Sequence, residues 1–166
     1  MDLSTLFGLP AHALLVHAAV VLVPFAAGAF VVTGWKQAWR NRYSLAVAIV
    51  ALGGAGFAFL AKQSGEPLKH SIRQAAEGAG VAANFGEHPE QGDTAFVFAA
   101  LFALTAVALW AMDRYQRKYR LPEWAPRASY AVGCVTAALA LFTMIQAGHS
   151  GAQLVWQDLG PFAGKR

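Results

Sequence analysis

PAHALLVHAAVVLVPFAAGAFVVTG, running from Pro10 to Gly34, decides what kind of chain this is. Leu14 to Gly34 holds no charged residue, and about 20 apolar residues suffice for a helix to cross about 30 Å of hydrocarbon. Pro10 suits the opening turn of that helix, where its missing N–H costs nothing. Pro24 sits mid-span and frees the carbonyl of Val20, which predicts a kink. His12 and His17 stand at the mouth of the run.

Three similar runs follow, and the spans are placed at approximately 12–35, 43–62, 94–112 and 128–150. Composition agrees: 57% of the 166 residues are hydrophobic and 13% charged, against about 25% charged in a soluble domain. The mean hydropathy is +0.41. The expectation is an all-α integral membrane protein, a single domain over 1–166 built as a four-transmembrane-helix bundle. A surface helix is expected in the outer loop between helices 2 and 3. There Leu68, Ile72, Ala75, Ala76 and Ala79 fall on one face, opposite Lys69, Arg73 and Glu77, with Pro67 as its start. Gly53-Gly54-Ala55-Gly56 in the second span predicts close helix packing.

Basic residues set the orientation. Lys36, Arg40 and Arg42 lie in the first connection, and Arg114, Arg117, Lys118, Arg120 and Arg127 in the third. The positive-inside rule makes both cytoplasmic, so the termini and the long second connection face the periplasm of a bacterial inner membrane. Met1–Thr5 lacks a basic region or cleavage site, so no removable signal peptide is expected. Basic residues dispersed between apolar runs argue against nucleic acid as a partner despite a pI near 9.5. Cys134 is the only cysteine, which excludes an internal disulfide, covalent haem attachment and a thiolate cluster.

With that orientation all five histidines fall on the outer side. His12 and His17 are at the start of span one, His70 and His88 in the loop, His149 at the end of span four. Counting residues per span puts His17 and His149 at a similar depth. Residues five apart differ by about 140° around a helix, so His12 and His17 cannot both aim at one central ligand. His17 is taken as the deeper candidate and His12 as a rim group. Thr143, Gln146, Ser150 and Gln153 form a polar stripe beside His149, expected to face the interior, with Gly148 and Gly151 making room beside the imidazole.

The chain resembles a bacterial four-span membrane family catalogued only as a domain of unknown function. Pro10-Ala11-His12-Ala13-Leu14-Leu15-Val16-His17 is similar to its His-Pro-Leu-His-Pro-x-x-Val-His signature, with Leu9 and Ala13 replacing a histidine and a proline. Glu87-His88-Pro89-Glu90-Gln91-Gly92-Asp93-Thr94-Ala95 resembles the family's lead into span three. Gly148-His149-Ser150-Gly151-Ala152-Gln153-Leu154-Val155-Trp156 resembles its closing segment. Some relatives accompany Rieske-type or c-type redox proteins, so the resemblance implies a redox setting.

Three readings stay open. The first is a b-type cytochrome acting in electron transfer. Haem b would lie between spans one and four with His17 and His149 as axial ligands, its propionates meeting Lys62, Lys69 or Arg73. The second is a mononuclear zinc, copper or iron site of His17, His88 and His149, with His12, Glu87 or Glu90 nearby. The third is a structural subunit whose histidines are interfacial. His70 is expected to be inert. No His-Glu-x-x-His or similar signature assigns a catalytic residue. Candidate partners are membrane lipid, a periplasmic redox protein and a second copy of the chain.

Overall fold

The computed structural model of the protein describes residues 5–6, 9–80 and 83–158. The termini placed outside the cytoplasm above lie beyond these residues. A two-residue antiparallel pairing, Thr5–Leu6 with Leu9–Pro10, precedes the first helix. Four helices follow: α1 (Ala11–Gly34), α2 (Gln37–Gly78), α3 (His88–Tyr119) and α4 (Trp124–Gln153), the last running into a π-helical turn at Leu154–Asp158. Each is long and apolar enough to cross a membrane. They pack as a ring, with α1 on α2, α2 on α3, α3 on α4 and α4 back on α1. The chain is therefore an all-α four-helix membrane bundle.

Small residues at heptad spacing decide which faces meet. In α2 the buried series is Arg40, Ser44, Val47, Ala51, Gly54, Ala58 and Ala61, steps of four and three throughout. In α3 it is Ala95, Ala99, Phe102, Ala106 and Leu109. In α4 it is Pro126, Gly133, Ala137, Ala140, Met144 and Ala147, and in α1 Ala19, Val23, Ala26 and Phe30. A 3.5-residue repeat keeps one seam against a neighbour. Alanine and glycine on that seam let backbones approach where lipid gives no hydrophobic drive for helices to associate. A Cβ on Gly54 would stand 2.8 Å from Val23 Cγ2 and 3.2 Å from Val23 N, so the glycine patch of span two does seat α1. A Cβ on Gly133 would run into the Phe30 ring. Gly133→Ala is accordingly expected to cost about 1–3 kcal/mol, read as a lower thermal midpoint in detergent.

Two expectations need correction. The surface helix is helical but not a separate element: residues 63–78 continue α2, with Pro67 inside it. At 1.5 Å per residue, α2 is about 63 Å long, twice the hydrocarbon thickness, so its far end projects from the bundle and is largely exposed. The connection to α3 thereby shrinks to residues 79–87. It turns at Gly86, φ 53, whose N–H donates to Asn84 Oδ1 at 3.0 Å, a turn that favours glycine. Pro24 does not interrupt α1.

The other correction concerns the first connection, which is only Trp35 and Lys36. Arg40 is already in α2 and is turned inward, 7% exposed. Its Nε and Nη2 donate to Asp113 Oδ2 and Oδ1 at 2.7 and 3.0 Å, and its Nη2 also donates to Gln37 Oε1. This pair fastens α2 to α3 at what can be called the arginine end. At the same end the Tyr130 hydroxyl donates to Val31 O at 2.7 Å, tying α4 to α1.

Candidate functional site

At the opposite end the seams continue, and they end in histidine and glycine. His12 lies one heptad before Ala19, and His88 one heptad before Ala95. Gly65 lies four residues beyond Ala61, and Gly151 four beyond Ala147. All four helices thus bring one seam position to one place. The His12 and His88 rings stand nearly perpendicular to one another, their centres 6.2 Å apart with an interplanar angle of 86°. A Cβ on Gly65 would fall 3.2 Å from His12 Nδ1, and one on Gly151 would fall 2.9 Å from His88 Cε1. Each imidazole lies against a helix backbone at a place where no side chain intrudes.

The ring nitrogens are differentiated. His12 Nδ1 is 2.8 Å from Ala61 O. A carbonyl only accepts, so Nδ1 carries the proton and donates. His88 Nδ1 is 3.0 Å from Ser150 Oγ. The Ser150 hydroxyl spends its own proton on Ala147 O at 3.1 Å, so here too Nδ1–H is the donor. These tautomers follow from the hydrogen-bond network. In the neutral state each ring keeps a free Nε2 lone pair, the arrangement common to metal-ligating histidines, whose other nitrogen donates to the protein.

His17 and His149 are placed differently. His17 precedes buried Ala19 by two residues and His149 follows buried Ala147 by two, a rotation of about 200°. Both are exposed. His17 Nδ1 donates to Ala13 O of its own helix at 2.6 Å. His149 Nε2 accepts from Gln153 Nε2 at 3.0 Å. The polar stripe of α4 divides in the same way: Thr143 is buried and Ser150 half-buried, while Gln146, His149 and Gln153 are exposed. Gly151 gives room to His88 rather than His149, and Gly148 faces open space. His70 is exposed on the projecting end of α2. Of the expected site residues, then, the interior pair is His12 with His88, in place of His17 with His149.

Beside the pair runs a polar groove. One part, about 360 Å³, is lined by Asn84, Glu87, His88, Gln91, Ser150 and Gln153 among others. It adjoins a second part of about 490 Å³ that shares Gly86, Glu87 and Gln91 and adds Glu90, Thr94 and Gln146. These walls do not fit haem. A porphyrin needs apolar faces, and Glu87 and Glu90 would repel its propionates. Of the basic residues expected to meet them, Lys62 pairs with Asp93 at 3.1 Å, and Lys69 lies 4.0 Å from Glu66. The spacing of the pair leaves room for a small cation. Two imidazoles sharing one ion from opposite sides, each at about 2.0–2.1 Å, have ring centres about 6 Å apart. Among the described residues no third histidine, cysteine or carboxylate joins them at ligand range.

Gly65 and the Arg40–Asp113 pair were not found by reading residue types; their signal was the heptad register. Ser150 and Gly151 were singled out, but beside His149 rather than His88. A family model described as predicted membrane protein (DUF2231) matches residues 8–160, and the chain belongs to that family. No curated protein and no solved structure matches it.

Proposed function

We propose that this member of the DUF2231 family takes up a divalent transition-metal ion of the zinc, copper or iron class through His12 and His88. The observation that carries the proposal is the matched state of the two rings: Nδ1–H is committed to the protein on both, and the centres are 6.2 Å apart. Glycine behind each ring adds support, because it holds the pair without a competing side chain. Imidazole ligands suit these metals. Two protein ligands leave coordination positions open toward the groove, which suits an ion that exchanges rather than one sealed in a closed four-ligand site. We read the arginine end as cytoplasmic, from Lys36, Arg42 and the basic residues 114–127. The site then opens to the periplasmic side of a bacterial inner membrane.

The test is titration of detergent-purified protein with Co²⁺, followed by visible absorption. Saturation at one ion per chain is expected, unchanged in His17→Ala and His149→Ala. Failure of the wild-type chain to bind would remove the proposal. A Soret band in protein from haem-replete cells, lost in His17→Ala, would favour the cytochrome reading in its place.

A further inference from the structure

We propose that Gln91 is the third group of this site, an inference that rests on His12 and His88 being its ligands. In this arrangement the Gln91 side-chain oxygen contacts the ion or a water bound to it, and Glu87 holds the amide in the orientation required. Gln91 follows His88 by three residues, so the two share one face of α3. It lies one residue before Gly92, the seam position between His88 and Ala95, and it lines both parts of the groove. Its Oε1 is closed to solvent and has no hydrogen-bond partner. Buried polar atoms are nearly always paired, and one that is not calls for an unseen partner.

The amide orientation is not arbitrary. Gln91 Nε2 lies 3.2 Å from Glu87 Oε2. An ionised carboxylate only accepts, so the amide nitrogen must face Glu87 and the oxygen must face away from it. The result is an orphaned oxygen held in a groove that already contains a histidine with a free Nε2. Two imidazoles and an amide oxygen form a set for borderline divalent ions rather than for soft Cu⁺, which favours sulfur. Glu87 is thus a positioning residue, acting through Gln91.

The experiment compares Co²⁺ affinity in Gln91→Leu, Gln91→Glu and Glu87→Gln, each in the full-length chain. Gln91→Leu is expected to lose about 10-fold or more in affinity. Gln91→Glu, which keeps an oxygen there, is expected to bind at least as tightly as wild type and to gain a pH dependence. Glu87→Gln should weaken binding in the wild-type background and have no further effect beside Gln91→Leu. A residue of merely structural importance would give another pattern: both Gln91 variants weakened alike, with a lowered melting temperature in metal-free protein. That pattern overturns the inference. So does wild-type affinity in both Gln91 variants while His12→Ala fails to bind, a result that leaves the two-histidine site standing. Absence of Co²⁺ uptake by wild type overturns the histidine reading together with this one.

Discussion

Asp113→Ala is expected to destabilise the bundle by about 3–5 kcal/mol, the largest effect on stability of any single substitution proposed for this chain. The loss comes mainly from the partner left behind. Arg40 is held inside the bundle by two hydrogen bonds to one carboxylate, and the carboxylate side chain is only 4% exposed. Remove it, and a guanidinium stays buried with Gln37 as its remaining acceptor. The pair itself need not be strongly favourable, because dehydrating both charges offsets most of their attraction. Arg40→Met with Asp113→Leu should therefore recover most of the stability lost in the single variant. Thermal unfolding in detergent of Arg40→Met, Asp113→Leu and the double variant, beside wild type, measures this. Additive losses would show that the two side chains do not act as a pair.

The second large effect concerns the ion. On the proposed site, His88→Ala removes one of the two imidazoles and is expected to lower affinity for Co²⁺ or Zn²⁺ by more than about 100-fold, beyond the range seen when only an orienting group is lost. His12→Ala should do the same. Ser150→Ala tests a finer point, since it deletes only the acceptor of His88 Nδ1–H. It should cost about 10-fold while the His88 ring stays in place. Equilibrium dialysis against a chelator-buffered metal series would separate the two classes. Equal losses in Ser150→Ala and His88→Ala would mean that the imidazole does not bind the ion directly.

Four spans and their order were legible from residue type, because a long uncharged run has few alternatives in a chain with so little charge; the helices reach well past the apolar runs, most of all α2. What residue type could not supply was rotation. His17 looked central because the choice between it and His12, which leave the helix about 140° apart, was made on depth alone, without the register that says which of them faces the bundle. His12 looked peripheral for the same reason. The register that corrects both is present in the sequence: Ala19, Val23, Ala26 and Phe30 extend back to His12, and Ala95, Ala99, Phe102 and Ala106 extend back to His88. Small residues carry this signal weakly, since alanine also occurs widely on the lipid-facing sides. Leu68, Ile72 and Ala79 misled in a different way. Their amphipathic pattern is real, yet Pro67 was read as a start when α2 accommodates it without ending. Arg40 was counted as a topology signal, and its partner Asp113 lies 73 residues away, beyond the reach of any local pattern.

The central claim is that His12 and His88 hold one ion between them, and electron paramagnetic resonance of the Cu²⁺-loaded protein addresses it most directly. Nitrogen couplings from two coordinated imidazoles are expected in wild type, from one in His12→Ala or His88→Ala, and from two again in His17→Ala and His149→Ala. Loss of a nitrogen coupling in His17→Ala or His149→Ala, with His12→Ala unchanged, would contradict the account.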